Sequence, residues 1–451
     1  MNIIIVGCSQ VGETLAAELV NENNNITMID LSSEKIKDIT ARYDVMGIVG
    51  NGATHQTQLD AGIDEADLLI AVTDSDELNL LCCMIAKKTG NCRVIARVIS
   101  PEYNTESDYL KHELGLEMII NPELESAKEI ARVLRFPSAM KIETFARGVV
   151  ELLTFRLPEN SPMVGMWLKD VITRLKVNVL ICTVEREEEA YIPNGNFVFK
   201  GKDVISIIAS PKDSFDFFKK IGYSTDAARE AIILGGGDIT HYLASMLSRA
   251  INLKVIDKNH DVCEELAKEF KDITVINGDV TDQELLIEEG IATSDAFLSL
   301  TARDEENILL SLFARNSGKG KVITKINRAD YDDIVKHLDL DTVIYPKSIT
   351  ADMILRYVRA MQNTFGSNVE TMYNVIKGKV EASEFKVSEG SPISVAPLMQ
   401  LHFKKDVLVA AILRNGSLII PRGSDSILPG DSVVIVTKLL GLKDISDILA
   451  D

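Results

Sequence analysis

The chain opens with a short apolar run that has no helical period. The run from Asn2 to Val6 is rich in β-branched side chains, which suits a strand buried on both faces of a parallel sheet. Gly7 ends the run, and apolar residues then recur at helical spacing from Val11 to Leu19. A second apolar run, Ile26 to Ile29, finishes at Asp30. The pattern predicts a strand, a glycine turn, a helix and a second strand that ends in a carboxylate.

The same alternation continues through the next hundred residues. Four more apolar runs are separated by amphipathic stretches, and a long amphipathic helix from about Leu124 to Leu134 follows Pro122. The predicted strands are Val45–Val49, Leu68–Val72, Val94–Val98 and Met118–Ile120. Strands that alternate with helices form a parallel sheet with helices on both faces. We therefore predict an α/β fold, a Rossmann-like, doubly wound parallel sheet of six strands.

This order of elements restarts near residue 231, and individual residues correspond between the two copies. Gly235 follows Gly7 by 228 residues, and the helix after Pro346 repeats the helix after Pro122. The other matched pairs are Asp257 with Asp30, Thr301 with Thr73, Asn307 with Asn79 and Lys325 with Arg97. The sequence therefore indicates a tandem duplication of one domain.

Two smaller segments follow the two copies and also resemble each other. Ile192-Pro193-Asn194-Gly195 is echoed by Ile420-Pro421-Arg422-Gly423, and Asp431 follows Asp203 by 228 residues. Turn residues alternate there with short apolar runs, which predicts a small α+β module. The runs are Val177–Val184, Val204–Ile208, Val407–Leu413 and Val433–Val436. The predicted domains are 1–123 and 230–347 for the Rossmann-like copies, and 140–225 and 368–451 for the modules.

The glycine turn of the first copy departs from a dinucleotide-binding fingerprint. The chain has Gly7-Cys8-Ser9-Gln10-Val11-Gly12 where the fingerprint is G-x-G-x-x-G, so a serine stands where backbone and pyrophosphate come closest. The free N–H groups of the following helix attract phosphate, and the Ser9 hydroxyl could donate to it. Alternatively, the unit keeps the fold without the ligand. In the second copy Thr240 replaces the third glycine.

Charged residues follow the strands at the edge where open parallel sheets bind ligands. Asp30 and Asp257 each end a second strand, where a carboxylate accepts both ribose hydroxyls and repels a 2′-phosphate. NAD(H) is therefore favoured over NADP(H), with solvated turn aspartates as the alternative. Arg97 lies in an apolar strand, so its guanidinium must reach a phosphate, a carboxylate or an internal salt bridge. Lys325 lacks the bidentate fork, so the two sites should differ in geometry or affinity.

Composition narrows the class of protein. The chain has 451 residues, of which 46% are hydrophobic and 25% charged, as in a folded protein of several domains. Its net charge of −19 argues against a nucleic-acid partner and against direct adsorption to an anionic bilayer. No apolar stretch approaches the roughly 18 residues of a membrane span, and the apolar run at the start of the sequence has no basic segment or cleavage site, so we expect no secretory leader. We expect a cytoplasmic protein whose connection to a membrane is made through another protein.

Catalytic and metal-binding patterns are missing from the sequence. The six cysteines have no metal-ligand spacing and are expected to be reduced, mostly buried thiols. The six histidines do not recur between the copies and are interpreted as solvated or core residues. The single tryptophan, Trp167, is interpreted as a core residue. We therefore expect no metal site and no catalytic residues.

These motifs together resemble the TrkA family, the cytosolic NAD-binding regulatory subunits of Trk potassium uptake systems. The resemblance covers nearly the whole chain and is carried by the opening I-I-I-V-G-x-x-Q-V-G-x-x-L-A, Gly50-Asn51-Gly52-Ala53, the A-V-T-D-S-D-E-x-N run from Ala71 to Asn79, Arg97 and the duplication. It implies RCK (or KTN) N-terminal domains of Rossmann type, each followed by an RCK C-terminal domain. It also implies NAD(H) as the cofactor, with ATP or ADP as alternatives at the same sites.

The resemblance further implies which residues contact the nucleotide. They lie in the glycine turns, at the ends of the second and fourth strands, and on the fifth strand. In the first copy they are Gly7, Cys8, Ser9, Gln10, Val11, Asp30, Thr73, Asp74 and Arg97. In the second copy they are Gly235, Gly236, Gly237, Asp238, Ile239, Asp257, Thr301 and Lys325. Ser9, Thr240 and Lys325 depart from the pattern of the family.

The implied function is regulatory. The family gates a membrane potassium translocator of Trk type through nucleotide-dependent conformational change, and acts as a peripheral protein at the inner face of the cell membrane. Two Rossmann-like copies per chain suit a closed homo-oligomeric ring, a tetramer or a dimer of dimers. An NAD-dependent oxidoreductase is the alternative, because a fold alone does not fix the chemistry, but no proton donor is evident beside a nicotinamide. A scaffold that binds no nucleotide is the third possibility.

Overall fold

A computed structural model describes the chain except residues 23, 136–138, 146–148, 224–227, 319, 329–330, 332–334, 336, 339, 364–368, 377 and 451. The predicted domain boundaries at 225, 368 and 451 lie outside the described residues, and the boundaries stay a prediction. The chain separates into two compact units. One is Met1–Ala131 with Arg229–Leu355, and the other is Arg132–Ala228 with Arg356–Asp451. The first unit therefore holds both Rossmann-like copies, and the second holds both modules.

The first copy is a six-stranded parallel sheet with helices between its strands. Its strands are β1 (Asn2–Val6), β2 (Asn25–Asp30), β3 (Met46–Val49), β4 (Leu68–Ala71), β5 (Arg93–Arg97) and β6 (Met118–Ile120). Its helices are α1 (Gln10–Asn21), α2 (Ser33–Arg42), α3 (His55–Asp60), α4 (Asp76–Thr89), α5 (Pro101–Thr105), α6 (Ser107–Leu114) and α7 (Pro122–Arg135), with a 3₁₀ turn at Ile63–Glu65. The strand order is β3-β2-β1-β4-β5-β6. The prediction of a doubly wound parallel sheet is confirmed.

The second copy repeats this architecture. Its strands are β12 (Glu230–Leu234), β13 (Asn252–Asp257), β14 (Ile273–Asn277), β15 (Ala296–Ser299), β16 (Lys321–Lys325) and β17 (Thr342–Ile344), in the order β14-β13-β12-β15-β16-β17. The described helices are α10 (Asp238–Leu247), α11 (His260–Glu269), α12 (Gln283–Glu288), α13 (Asp304–Ser317) and α14 (Pro346–Asn363). In both copies the strand order reverses between the first and fourth strands, which is where doubly wound sheets bind their ligands.

Each module is built on a five-stranded antiparallel sheet. The first has β7 (Lys141–Phe145), β8 (Val150–Arg156), β9 (Leu180–Arg186), β10 (Glu189–Tyr191) and β11 (Val204–Ala209), with helices α8 (Leu168–Leu175) and α9 (Pro211–Lys220). The second has β18 (Val369–Ile376), β19 (Val380–Lys386), β20 (Val407–Arg414), β21 (Ser417–Ile419) and β22 (Ser432–Thr437), with 3₁₀ turns at Pro392–Ser394, Leu398–Gln400 and Ile445–Ile448. The orders β10-β9-β11-β8-β7 and β18-β19-β22-β20-β21 are the same order read from opposite ends. One apolar core joins the two modules, with Phe145, Leu152, Val380 and Val434 among its buried members.

Two details of the first module differ from the predictions. Strand β9 begins at Leu180 and not at Val177, because α8 runs to Leu175 and Lys176 then takes a left-handed conformation with φ of 51°. Trp167 is not a core residue, since 43% of its surface is exposed. It precedes α8, and the Lys169 ammonium lies 4.7 Å from the centre of its ring. The indole therefore packs on a neighbouring side chain at the surface.

Among the described residues, no helix is both long and apolar enough to cross a membrane.

Candidate nucleotide-binding sites

The glycine turns after β1 and β12 require glycine at their first position. Gly7 and Gly235 have φ of 109° and 100°, in the left-handed region that other residues avoid. A Cβ on Gly7 would lie 3.0 Å from the backbone of Val72 and Thr73, where β4 ends. The turn therefore passes directly over the neighbouring strand and brings the start of α1 to the edge of the sheet.

The residues predicted for the second site come together around one cavity. All eight line a cavity of about 380 Å³, a size suited to a small ligand. They are Gly235, Gly236, Gly237, Asp238, Ile239, Asp257, Thr301 and Lys325. The side chain of Ile239 is buried, so its contribution to the cavity wall comes largely from the backbone. The structure thus brings the predicted set together, whereas its contact with nucleotide stays a prediction.

The helix that starts at this cavity has an open amino end. Gly237 is the N-cap of α10, and no side chain caps the first turn. A Cβ on Gly237 would meet no atom within 4 Å, so the space beside the turn is free. Free N–H groups at such a helix end bind phosphate. A pyrophosphate therefore fits this position by both space and hydrogen-bonding chemistry.

In the first copy Ser9 is engaged with the protein. It is the N-cap of α1, where its hydroxyl oxygen accepts from the Gly12 N–H at 3.5 Å and its O–H donates to the Val72 carbonyl at 3.1 Å. Val11 is buried, as Ile239 is in the second copy. The predicted donation from Ser9 to a phosphate would require its O–H to leave Val72. Ser9, which replaces the second glycine of the fingerprint, thus caps α1 and holds the turn against the end of β4.

Thr240 replaces a close packing contact with a hydrogen bond. At the equivalent position of the first copy, a Cβ on Gly12 would lie 2.0 Å from the Gly7 carbonyl oxygen, so only glycine fits there. In the second copy the Thr240 hydroxyl donates to the Gly235 carbonyl at 2.6 Å. The turn and the helix are joined in both copies, by contact in one and by a hydrogen bond in the other.

Asp30 and Asp257 each tie two loops together. The Asp30 carboxylate accepts from the Cys8 N–H at 2.7 Å and from the Ser32 N–H at 2.8 Å. The Asp257 carboxylate accepts from the Gly236 and Asn259 N–H groups, both at 2.7 Å. Each carboxylate is only partly buried and retains lone pairs for a ribose hydroxyl. The aspartates are therefore not merely solvated turn residues, since they already position the glycine turn.

Two buried asparagines, which the sequence patterns did not assign to the sites, hold the strand ends that line each site. Buried Asn79 accepts from the backbone N–H and hydroxyl of Thr73 and donates to the carbonyls of Thr73 and Arg97. Asn307 makes the same four contacts with Thr301 and Lys325. These asparagines fix the ends of the fourth and fifth strands in both copies. Their recurrence 228 residues apart was the signal that could have identified them.

The cation at the end of the fifth strand differs between the copies. Arg97 is only 7% exposed and donates to the Thr73 carbonyl at 2.8 Å and to the exposed Asp74 carboxylate at 3.3 Å. The internal salt bridge considered from the sequence therefore forms. Lys325 has no ion pair within 4.0 Å among the described residues. Burial lowers the pKa of Lys325, and the nearby Glu123, Asp304 and Asp238 carboxylates oppose that shift.

Glu123 reaches the second site from the other copy. It lies at the start of α7 in the first copy, yet it lines the cavity of the second. Its Oε2 is buried and has no hydrogen-bond partner among the described residues. Burial raises the pKa of Glu123, Asp238 adds to that rise, and Lys325 and Arg97 oppose it. No local sequence pattern could have identified Glu123, because its role depends on how the two copies pack.

The two copies are also joined by a buried hydrogen-bond network. The Tyr242 hydroxyl in α10 accepts from the Asn121 side-chain amide at 2.8 Å and donates to the Ile99 carbonyl at 3.2 Å. The Asn121 side-chain oxygen in turn accepts from the Leu124 N–H at the start of α7. The first turn of α7 is therefore held against the helix that begins at the second cavity.

The side chains that could bind a metal are dispersed in the part of the chain that the structure describes. The described residues contain no cluster of three or more histidine, cysteine or carboxylate side chains that could hold a metal. All six cysteines are free, and burial raises the pKa of Cys8 and Cys82 to about 12, which leaves both as thiols. His241 pairs with Glu269 at 2.9 Å, a contact that the sequence did not indicate.

Comparisons with known proteins match the architecture. A family model described as the TrkA-N domain matches residues 3–122 and 231–346, and one described as the TrkA-C domain matches 152–222 and 382–450. These matches define a duplicated chain in which TrkA-N and TrkA-C domains alternate. The chain belongs to the TrkA family.

Full-length relatives support this assignment. A "Trk system potassium uptake protein TrkA homolog" of Archaeoglobus fulgidus is 32% identical over 99% of this chain and 100% of its own length. A "Trk system potassium uptake protein TrkA" of Halomonas elongata is 29% identical over 96% of this chain and 95% of its own. Among solved structures, the "GsuK RCK domain" covers 97% of this chain with a TM-score of 0.63 at 16% identity, which supports the fold.

Proposed function

We propose that this chain is the nucleotide-binding regulatory subunit of a Trk-type potassium uptake system. The cavity at the second glycine turn carries the proposal, because it combines an open helix amino end, room beside Gly237 and a carboxylate at Asp257. Its full-length relatives are named as Trk potassium uptake proteins. The chain acts at the inner face of the cell membrane by binding a membrane potassium translocator, and not by inserting itself.

NAD(H) is the proposed cofactor, with ATP or ADP as alternatives at the same sites. The solved structures similar to this chain include "GsuK channel bound to NAD", a likeness that bears on the fold. The helix ends would hold the phosphates, and Asp30 and Asp257 would accept the ribose hydroxyls. The nucleotide supplies no bond-breaking chemistry in this proposal. It changes the relative stability of two conformations of a homo-oligomeric ring by binding one of them more tightly.

Equilibrium dialysis of the purified chain with radiolabelled NAD and ATP tests this function. Retention of nucleotide that chromatography recovers unchanged is the expected result. Retention with conversion to product would favour the oxidoreductase, which neither the fold nor the relatives support. No retention of either nucleotide would favour a nucleotide-independent scaffold and would overturn the proposal.

The conformational part of the proposal has its own test. Small-angle scattering of the assembled chain with saturating ATP or saturating NADH should give two different profiles. Arg97→Ala should erase the difference, because Arg97 connects the end of β5 to the Thr73 carbonyl at the site. If ATP and NADH both bind, yet the scattering profiles and the hydrogen exchange across residues 122 to 145 are the same with either ligand, the proposed conformational change does not occur.

A further inference from the structure

Each nucleotide site receives one charged residue from the opposite copy. Helices α7 and α14 occupy equivalent places, and each begins with a proline followed by a charged residue. Glu123 follows the proline of α7 and lines the second cavity. Lys347 follows the proline of α14, and its ammonium donates to the Gln10 side-chain oxygen in the first glycine turn at 3.1 Å. Equivalent positions thus deliver opposite charges.

The first site is rich in positive charge. The side chains of Arg97 and Lys347 are both positively charged, and the side chain of Gln10, at the start of α1, is neutral. Lys347 contacts an amide oxygen and forms no ion pair within 4.0 Å among the described residues. The acid nearest to Arg97 is Asp74, whose side chain is 88% exposed and screened by water.

The second site has the opposite balance. Lys325 is its inner cation, and both Glu123 and Asp238 lie close enough to shift its pKa. Asp238 occupies the position of Gln10, so an acid stands at the start of α10 where phosphate is expected. Two further cations line the cavity, Lys258 and Arg303, and both are exposed. Lys325, Glu123 and Asp238 therefore sum to one negative charge. The groups at the equivalent positions of the first site, Arg97, Lys347 and Gln10, sum to two positive charges, before the exposed Asp74 beside Arg97 is counted.

We propose that the first site selects a nucleoside triphosphate and the second a dinucleotide of the NAD(H) class, with Lys347 and Glu123 as the specificity-determining residues supplied by the opposite copy. The inference rests on the proposed nucleotide-binding function. A triphosphate carries more negative charge than the pyrophosphate of a dinucleotide. It therefore gains more from Lys347, which forms no ion pair among the described residues, and from Arg97, whose one ion pair within the described part of the chain is with the exposed Asp74, and it loses more beside two carboxylates. The two nucleotides then occupy different copies of one chain.

Charge exchange in the full-length chain tests the proposal. Photolabelling with 8-azido-ATP, followed by peptide mapping, separates label in residues 1–131 from label in residues 229–355, and NADH fluorescence reports dinucleotide binding. Lys347→Glu should weaken labelling of the first copy about tenfold, and Glu123→Lys should strengthen labelling of the second by a similar factor. The neutral variants Lys347→Gln and Glu123→Gln should give smaller shifts in the same directions. The neutral variants also test the proposal if a charge-reversed variant fails to fold.

Matched controls place the same charge changes far from the sites. Lys88 lies near the end of α4 and Asp272 directly before β14, so both are exposed at the opposite edge of their sheets. Lys88→Glu and Asp272→Lys should leave both labelling patterns unchanged. Preferential ATP labelling of the second copy, or equal effects of Lys347→Glu and Lys88→Glu, would overturn the proposal. If the unaltered chain retains neither ATP nor NADH, the proposed function itself fails.

Discussion

The modules and the Rossmann-like copies preserved the duplication to different degrees. In the first module Arg186 makes two hydrogen bonds of 2.7 Å to the buried Asp203, and in the second Arg414 meets the buried Asp431 in the same way at 3.0 and 2.8 Å. At the candidate nucleotide sites the cation at the end of the fifth strand is Arg97 in one copy and Lys325 in the other. A buried ion pair tolerates no change of one partner, whereas a ligand site can change with its ligand. Identity between the repeats located the candidate sites, whereas the differences between them indicate where the two sites differ from each other.

The largest expected effect comes from breaking the pair that both modules share. Arg186→Ala should lower the free energy of unfolding by about 3 to 5 kcal/mol, because the Asp203 carboxylate would stay buried without its partner. Arg414→Ala should act similarly through Asp431. Denaturant unfolding measures both effects. The double variant with Arg186→Met and Asp203→Leu should recover most of the lost free energy of unfolding, because no charge is left buried. If the double variant is as unstable as Arg186→Ala, the unpaired Asp203 carboxylate is not the cause of the loss.

A second prediction concerns Asp30 and Asp257, the two carboxylates that are proposed to accept ribose hydroxyls. Asp30→Ala should weaken nucleotide binding to the first copy by about 1 to 3 kcal/mol, since ribose hydroxyls and two loop N–H groups lose their acceptor. Asp257→Ala should do the same in the second copy. Calorimetry with NADH and with ATP measures the loss of affinity in each variant. NADP(H) should bind the unaltered chain more weakly than NAD(H), and equal affinities would remove the ribose role from both aspartates.

A third prediction concerns the pH dependence that Glu123 introduces. Burial raises the pKa of its carboxyl, so the folded chain holds this proton more tightly than the unfolded chain does. Stability from this group is therefore fully present below the ordinary glutamate pKa and falls as pH rises toward the raised value. Glu123→Gln should remove that fall and make the chain more stable at neutral pH. Urea unfolding over the acid-to-neutral range measures the difference.

Lys347→Gln is the matched control for this experiment, since it changes the equivalent residue of α14 and removes no carboxyl. It should leave the fall of stability with pH unchanged. A pH profile of Glu123→Gln that coincides with that of the unaltered chain would contradict the burial of its carboxylate at the second cavity.

The smallest expected effect comes from the hydrogen bonds between the copies. Tyr242→Phe should lower the free energy of unfolding by about 0.5 to 1.5 kcal/mol, because the Asn121 amide keeps the Ile99 carbonyl at 3.0 Å as a partner after the hydroxyl is lost. Thermal unfolding measures this shift. A loss as large as that of Arg186→Ala would show that the contact between the copies is as sensitive as the ion pairs of the modules.

Features with a local period were predictable, and features that depend on packing between copies were not. The strand Asn2–Val6 and the strand Met118–Ile120 were predicted with their observed bounds, because a continuous apolar run sets them. The 228-residue interval located the second cavity residue by residue. By contrast, Glu123 and Lys347 act across the two copies, so neither has a signal in its own sequence neighbourhood. Trp167 was misassigned because a single aromatic residue has no period from which burial could be read.

The exchange of residues between the copies also affects how the chain is made. The first glycine turn leaves the ribosome more than 300 residues before Lys347, the residue that completes its charge. Because chains are synthesised from their amino end, the candidate site of the first copy stays without Lys347 until α14 has been made. A chain interrupted after the first module would therefore lack the Lys347 ammonium that contacts Gln10. On the proposed assignment, the triphosphate preference of the first site is therefore expected only of a chain that has been synthesised past α14.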